Sequence, residues 1–403
     1  MLRRFCRLPL LSFLISYASW GHAAGPVALA TIDRATWPQL VSSETEFDIA
    51  SRAEILMFGK TLLETEALNP AQLRERLGTK SLDEKSVEQV RHRFWSKLLE
   101  NYRAASKHCG SKPFCLQIES LGEFRQKLEF FSVEPASPYF SWSLASRKFH
   151  EAYLNEQLRL AALFPSINSE IARFDDSELN GDELADRQFM LSFDDGPTAP
   201  AGNTDKLTNI LRENGLHATF FILGSNLQAR LNKTSEQEVR KLYEGQCIAL
   251  HGWEHRSHAK WDDWLHSVSR TSALVKDFSP DSYLPLFRPP YGQRRADAHE
   301  TLAPQGIAIS LWNIDSQDWN RTMSADKAEH RVQTLMLLWR RGTILFHDIH
   351  TKAVGAVPNL ISTNRLNGVQ WIDCHEKLRN SLSSAKKNQA ANLELFARNE
   401  HEN

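Results

Sequence analysis

The chain has 403 residues, of which 41% are hydrophobic and 24% charged, and its formal net charge is −1. This length allows one to three domains, and the composition is that of a globular protein with a large core. The near-zero net charge excludes a global electrostatic attraction to nucleic acid or to a membrane surface.

Residues 1–24 have the pattern of a signal peptide. A basic start containing Arg3, Arg4 and Arg7 precedes an apolar run over residues 8–19, and small residues end at Ala24. A retained membrane anchor is the alternative, although no later apolar run is long enough to span a bilayer. The sequence therefore predicts an exported protein, periplasmic or secreted, without stable membrane insertion after cleavage.

Export makes disulfide bonds possible. Cys109 and Cys115 flank a short, flexible loop, which predicts a disulfide between them. Cys247 lies in an apolar, strand-like run and is predicted to be a buried thiol. Cys374 is left unassigned, so pairing between Cys247 and Cys374 stays an open alternative.

Residues 25–185 are predicted to form a mostly α-helical accessory domain. Asn69 and Pro70 have the pattern of a helix cap followed by a proline in the first turn. Ser81 and Glu84 form a predicted capping box ahead of apolar residues at helical spacing. The domain could contact substrate, a second copy or a partner protein, and the sequence does not choose among these.

The acidic segment 174–185 is predicted to be a linker. It contains Asp, Glu, Asn and Gly in an irregular order. A calcium-binding loop is the alternative, but the spacing does not fit the helix–loop–helix template.

Residues 186–380 alternate short apolar strands with helical patterns, which predicts a parallel α/β sheet or barrel. Helices are predicted over residues 204–214 and 236–243. The predicted strands are Phe189–Phe193, Ala218–Leu223, Cys247–Leu250, Leu284–Phe287, Ile307–Trp312 and Thr343–Phe346. In such folds the chemistry lies at the carboxyl ends of the strands. A polar tail is predicted over residues 381–403.

Two clusters at predicted strand ends have the composition of a metal site. Asp194 and Asp195 end an apolar strand and are followed by a Gly-Pro turn, which can direct both acids into one site. His251 and His255 are four residues apart and could share a metal on a helical turn. His258 is an alternative ligand.

Three further clusters follow predicted strands. The first is Arg288-Pro-Pro-Tyr-Gly, a rigid loop that could present a backbone N–H to an oxyanion and direct an arginine at a carboxylate. The second runs from Trp312 to Trp319 and contains Asp315 and Asp318. The third ends in His347, which could act as a general acid if a carboxylate lies nearby.

Together these clusters resemble the polysaccharide deacetylases of the NodB-homology type, carbohydrate esterase family 4. The resemblance covers about residues 187–365. It implies a distorted (β/α) barrel preceded by the helical domain, and a divalent metal, most often Zn²⁺ with Co²⁺ also possible.

The resemblance also implies a role for each matching residue. The implied metal ligands are Asp195, His251 and His255. The implied catalytic groups are Asp194 as base, Arg288 orienting it, the Tyr291 N–H binding the oxyanion, His347 as acid and Asp318 tuning that acid. The implied substrate-binding residues, at the acetyl pocket, are Pro290, Trp319 and Leu345.

The departures from the family pattern are small. Gly252 stands where Ser or Thr is usual, so a hydrogen bond behind the first metal histidine could be lost. Arg256 replaces a usual proline, and Cys247 replaces a usual polar residue. No reacting group is missing, so an active enzyme is expected.

The predicted function is metal-dependent removal of N-acetyl groups from a polysaccharide or oligosaccharide that contains N-acetylglucosamine, with release of acetate. One alternative is an O-acetyl esterase or a deacylase acting on another acetylated sugar. The other is a non-catalytic carbohydrate-binding protein. The sequence does not decide among chitin oligomers, peptidoglycan and other acetylated glycans, and it does not predict the oligomeric state.

Overall fold

The computed structural model describes residues 28–164, 173–174 and 176–376. The predicted signal peptide (residues 1–24) and the predicted polar tail (residues 381–403) lie outside the described residues. Within the described ranges, no helix combines the length and the apolar character that a membrane span requires.

The N-terminal part of the described chain is helical, as predicted. Its helices are α1 (Glu44–Glu66), α2 (Pro70–Leu77), α3 (Glu84–Ser106), α4 (Leu121–Glu129) and α5 (Phe140–Leu163). Helix α2 begins as the sequence predicts, with Asn69 as the cap and Pro70 in the first turn. The capping box predicted from Ser81 is wrong, because the Asp83 carboxylate caps α3 by accepting the Ser86 N–H at 2.9 Å.

The C-terminal part contains one eight-stranded parallel sheet. Its strands are β1 (Gln188–Asp194), β2 (Thr219–Ile222), β3 (Cys247–Leu250), β4 (Tyr283–Phe287), β5 (Ala308–Ile309), β6 (Ile314–Asp315), β7 (Gly342–His347) and β8 (Gln370–Trp371). Their order is β5-β4-β3-β2-β1-β7-β6, and β8 pairs with β1. The central strands are apolar and buried almost throughout, as expected where helices cover both faces of a parallel sheet.

Helices connect most of these strands, with two between β2 and β3 and none between β5 and β6. They are α6 (Asn203–Glu213), α7 (Gly224–Leu231), α8 (Glu236–Leu242), α9 (Trp264–Phe278), α10 (Ala298–Leu302), α11 (Ala325–Trp339) and α12 (Thr351–Thr363). The sheet curls into a half-barrel, and among the described residues no strand pairing joins its two ends, β5 and β6. The predicted α/β class, a distorted (β/α) barrel preceded by helices, is therefore confirmed.

The described part of the acidic segment 174–185 is not a linker, so that prediction is wrong. The Leu179 N–H donates to Ile309 O at 2.9 Å, and Leu179 O accepts the Leu311 N–H at 2.6 Å. Glu178 forms a fully buried ion pair with Arg294. Leu179 pairs with Ser310 in a parallel bridge, so the segment extends the sheet beyond β5. The sequence predicts one strand over Ile307–Trp312, whereas β5 contains only Ala308–Ile309.

Two disulfides are present. Cys109 pairs with Cys115, as predicted. Cys247 pairs with Cys374, so the prediction of a buried thiol at Cys247 is wrong. The two residues are 127 positions apart. The segment that follows β8 packs against the start of β3 and brings them together.

The N-terminal helices pack directly on the sheet domain. Helices α1 and α3 lie against α11, and residues from both parts belong to one continuous apolar core. Polar contacts reinforce this packing: Ser51 donates to Leu337 O at 2.6 Å, and Glu156 of α5 forms a bidentate pair with Arg331 of α11. The N-terminal helices therefore pack on the side of the sheet domain where α11 contacts β6 and β7.

Candidate active site

Polar groups from several strands converge at the carboxyl edge of the sheet. Asp194 ends β1 and is in register with His347, which ends β7. His251 and Arg288 directly follow β3 and β4. Because parallel strands all end at the same edge, residues far apart in the chain form one site, as the sequence analysis expected.

Asp195, His251 and His255 form a group that can hold a metal ion. Their ligand atoms lie within 4.8 Å of one another, and Asp195 Oδ1 is 3.4 Å from His251 Nε2 and 3.5 Å from His255 Nε2. Tetrahedral zinc with bonds of about 2.0–2.1 Å separates its ligand atoms by about 3.3–3.4 Å. Asp195 Oδ1 is buried and accepts no hydrogen bond, so the three residues fit a metal ion.

The surroundings of this group favour the ligand forms of its side chains. Burial alone would raise the pKa of Asp195, but His251, His347 and His255 outweigh burial and lower that pKa, which keeps the carboxylate ionised. Burial lowers the pKa of His255 to about 4, so its imidazole is neutral near pH 7. A neutral imidazole and an ionised carboxylate are the forms that bind metal.

The backbone around the two histidines differs from the prediction. Residues 253–255 form bends, and residues 251 and 252 have no regular secondary structure, so the two histidines do not lie on a helical turn. Gly252 has φ +88°, and a Cβ there would lie 2.7 Å from the His258 ring. The left-handed backbone and the close ring favour glycine at this position, and the irregular path still brings both Nε2 atoms to Asp195.

The hydrogen bond behind His251 comes from a carbonyl rather than from residue 252. His251 Nδ1 is 2.7 Å from Arg288 O and donates to it. This contact fixes the tautomer with its Nε2 lone pair directed at Asp195, as is usual for metal-binding histidines. The Arg288 carbonyl, directly after β4, therefore gives His251 the hydrogen bond that Gly252, which has no side chain, cannot give.

His258 does not join the metal group. Its Nδ1 is 2.7 Å from Arg256 O and its Nε2 is 3.1 Å from Ser267 Oγ, so both ring nitrogens are engaged. Burial lowers the pKa of His258 to about 4. Its neutral ring supports the loop instead.

Asp194 is held by Arg288. Arg288 Nη1 donates to Asp194 Oδ1 at 2.8 Å, and the arginine is fully buried. Its remaining donors bond Ser192 Oγ, Ser310 O and Leu311 O. The guanidinium cannot move without breaking these bonds, so it fixes the direction of the Asp194 carboxylate. Ser192, to which sequence reasoning assigned no role, gave no signal beyond its place in an apolar strand.

His347 and Asp318 form a close buried pair. His347 Nδ1 donates to Asp318 Oδ1 at 2.7 Å, and the backbone N–H of His347 donates to Asp318 Oδ2 at 2.9 Å. Burial alone would lower the pKa of His347. The charge and hydrogen bond of Asp318 outweigh burial, and with the nearby acid pair they raise the pKa of His347 to about 10. The imidazole is therefore protonated near neutral pH.

The four remaining predicted residues differ in exposure. Tyr291 has φ +60°, is 51% exposed and lies with its ring 4.5 Å from that of His255. Trp319 is 39% exposed, whereas Pro290 and Leu345 are buried. The exposed rings of Tyr291 and Trp319 are available to a bound ligand.

Asp348 is a further buried acid that sequence reasoning left without a role. Its Oδ2 accepts from Thr204 Oγ1 at 2.8 Å, and burial raises its pKa to about 8. A Cβ at Gly196 would lie 1.9 Å from Asp348 Oδ2. Asp348 therefore packs beneath the turn that follows the acid pair. Its position directly after His347 was the only sequence signal.

Comparison with known proteins identifies the same region. The family described as polysaccharide deacetylase matches residues 181–309. The peptidoglycan-N-acetylmuramic acid deacetylase PdaC of Bacillus subtilis is 29% identical over 190 residues, which cover 46% of this chain and 37% of that protein. A peptidoglycan-N-acetylglucosamine deacetylase of Bacillus cereus is 27% identical over 248 residues, 59% of this chain and 86% of that protein.

One solved structure is also similar to this chain in sequence. The family 4 carbohydrate esterase from Streptomyces lividans in complex with acetate has 31% sequence identity and a TM-score of 0.38. The alignment covers 44% of this chain and 86% of that one. The chain thus spans little more than a third of PdaC but most of the Bacillus cereus and Streptomyces proteins.

Proposed function

We propose that this chain, a member of the polysaccharide deacetylase family, is a metal-dependent hydrolase that removes N-acetyl groups from a glycan containing N-acetylglucosamine. The observation that carries the proposal is the separation of two adjacent acids. Asp194 Oδ1 bonds Arg288, while Asp195 Oδ1 faces His251 and His255. One carboxylate is thereby free for proton transfer and its neighbour for metal binding.

Asp195, His251 and His255 would hold the metal. Two imidazoles and a carboxylate are ligands that suit zinc, and cobalt accepts the same set. When bound, such an ion lowers the pKa of water and polarises a carbonyl.

Asp194 is the proposed general base. Arg288 holds its carboxylate toward the metal group, with Asp194 Oδ2 3.8 Å from His251 Nε2. From this position Asp194 accepts a proton from the attacking water.

His347 is the proposed general acid. Asp318 keeps its ring oriented and protonated. An amine is a poor leaving group, so the amide C–N bond breaks only as the nitrogen receives a proton, and His347 supplies it. Water and amide are thereby converted to acetate and a free amine.

Four residues would contact the substrate. The Tyr291 backbone N–H is the proposed oxyanion donor, because its left-handed conformation, set between Pro290 and Gly292, turns the peptide away from the regular chain path. Trp319, Leu345 and Pro290 are proposed to line the acetyl pocket. Trp319 offers an exposed ring face to the sugar.

Peptidoglycan is the proposed glycan. The two Bacillus relatives named above carry peptidoglycan in their names, one with N-acetylmuramic acid and the other with N-acetylglucosamine. A periplasmic or secreted location, which the predicted signal peptide implies, would place the chain beside this polymer. The N-terminal helices remain a proposed contact surface for substrate or partner.

The function is tested by product analysis with and without metal. Purified protein is incubated with peptidoglycan, N-acetylglucosamine oligomers and acetylxylan, and acetate and free amine are both quantified. We expect equal amounts of acetate and amine from an N-acetylated glycan. Removal of metal by a chelator should reduce the rate to background, and Zn²⁺ or Co²⁺ should restore it.

Three other outcomes would contradict the proposed function. Acetate without amine, seen with acetylxylan alone, would indicate the O-acetyl esterase instead. Binding of glycan without acetate release would indicate a carbohydrate-binding protein. Full activity in a metal-free preparation would refute the metal-dependent mechanism.

The Asp318→Asn variant tests the proposed acid through pH dependence. His347 must be protonated to act, so activity is lost as pH rises through its pKa. Removing the Asp318 charge removes the main influence that raises this pKa, while burial still lowers it. We expect the alkaline limb of the kcat–pH profile to move down by roughly one to three pH units.

A matched control for this measurement is Asp326→Asn. Asp326 is an exposed acid in the first turn of α11. This variant should leave the alkaline limb unchanged. An unchanged limb in Asp318→Asn would show that His347 is not the acid whose titration limits turnover.

A further inference from the structure

A second cluster of metal-binding side chains lies at the opposite edge of the sheet. His217 precedes β2, and Asp373 and His375 follow β8. One ligand atom from each of the three lies within 4.8 Å of the others. His217 is four residues before Phe221, which is in register with Asp194, a separation of about 13 Å along the strand. The cluster is therefore separate from the acid pair and its histidines.

We propose that His217, Asp373 and His375 bind a divalent transition metal ion of the Zn²⁺, Ni²⁺ or Cu²⁺ type. The donors are two imidazoles and a carboxylate, a set that such ions accept. His217 Nδ1 is 2.9 Å from Asp373 Oδ2, and the two histidine ring centroids are 5.7 Å apart. All three side chains are partly exposed, so an ion can enter from solvent.

His375 has a ring nitrogen available for an ion. Its Nε2 is 3.3 Å from Gly245 O, so this nitrogen carries the proton and donates. Its Nδ1 lies 3.6 Å from Cys247 Sγ, which is part of the disulfide with Cys374 and has no proton to donate. His375 Nδ1 therefore carries no proton, and one ring nitrogen of His375 lies within 4.8 Å of a ligand atom of each of the other two residues.

His217 and Asp373 already face each other. In the hydrogen bond between them, the His217 Nδ1 proton points at the carboxylate. When an ion binds, this proton moves to Nε2 of the same ring, and Nδ1 and the carboxylate oxygen both coordinate. Their 2.9 Å separation needs to widen only to about 3.3 Å, the edge of a tetrahedral site.

The disulfide holds the ligands in place before any ion binds. Cys374 lies between the two ligands Asp373 and His375 and is tied to Cys247 at the start of β3. The Cys374 N–H donates to His217 O at 3.2 Å, and the His375 N–H donates to Asp373 Oδ1 at 2.8 Å. Because the backbone is fixed, binding costs little ordering of the chain.

The experiment counts metal ions in the tag-free full-length protein. Protein stripped with a chelator is dialysed against micromolar Zn²⁺, and bound zinc per chain is measured by mass spectrometry. We expect two ions in the wild type and one in His217→Ala/His375→Ala. One ion is also expected in His251→Ala/His255→Ala, a matched pair at the other edge of the sheet. The four-fold variant should bind none.

Two results would overturn the second site. One is a wild-type protein that binds a single zinc ion per chain and loses it in His251→Ala/His255→Ala. The other is a His217→Ala/His375→Ala variant that still binds two zinc ions per chain. If alanine at 217 and 375 prevents folding, Asp373→Asn combined with His217→Gln replaces it, with Co²⁺ absorption reporting loss of one coordination sphere. The inference does not rest on the proposed deacetylase activity, which His217→Ala/His375→Ala should retain.

Discussion

Replacing Asp194 by Asn is expected to lower kcat by about 10²–10⁴-fold while the protein keeps its metal. Asparagine has nearly the same shape but cannot accept the proton from the attacking water. The metal group of Asp195, His251 and His255 is left intact, because Asp194 Oδ2 is no closer than 3.8 Å to His251 Nε2. Steady-state kinetics and metal content are measured on the same preparation.

A matched control distinguishes chemistry from a general effect of losing a carboxylate. Asp281→Asn alters an exposed acid in the turn before β4 and should leave kcat unchanged. Retained turnover in Asp194→Asn would refute the base assignment. Loss of metal together with turnover would show instead that Asp194 is a ligand.

Replacing Glu156 by Gln is expected to lower the free energy of unfolding by about 3–5 kcal/mol. Glu156 accepts two bonds from Arg331, at 3.0 and 2.7 Å, and one from the Ala30 N–H at 2.6 Å. Both side chains are almost fully buried. Glutamine removes the charge that compensates Arg331, so the buried cation loses its bidentate carboxylate partner and keeps its hydrogen bonds to the neutral carbonyls of Ala30 and Asp315. Urea unfolding followed by fluorescence measures the change.

The control is an ion pair of the same kind at the surface. Glu64 and Arg147 are 2.8 Å apart but 31% and 44% exposed. Glu64→Gln should change the free energy of unfolding by only about 0–1 kcal/mol. Equal effects of the two substitutions would show that the Glu156 pair does not hold the helices to the sheet.

The Glu156 pair also links the N-terminal helices to the site. Arg331 donates to Asp315 O at 2.8 Å, and Asp315 ends β6, directly before the loop that carries Asp318. Through Glu156 and Arg331, the helical region therefore contacts the strand that precedes Asp318, the partner of His347.

Local patterns predicted much of this molecule. The apolar run Cys247–Leu250 has the predicted bounds, because polar residues enclose it on both sides. The polar groups that follow the strands were correctly grouped at one edge, because the carboxyl ends of parallel strands necessarily meet. The roles assigned to them stay predictions.

Contacts between distant segments could not be read from such patterns. The acidic composition around Glu178 indicated a linker, whereas Arg294, 116 residues away, neutralises it within the fold. The spacing of His251 and His255 suggested a helical turn, whereas Gly252 and the neighbouring His258 ring set an irregular loop.

By itself, the sequence determined the α/β class, the helical N-terminal region and the set of groups available for chemistry, because each depends on nearest neighbours along the chain. Only the tertiary structure decided that Cys247 pairs with Cys374, that Arg288 O supports His251, and that Glu156 joins the helices to the sheet. Each of these depends on how separate segments pack, and the free energy that selects them comes from burial shared across the whole core.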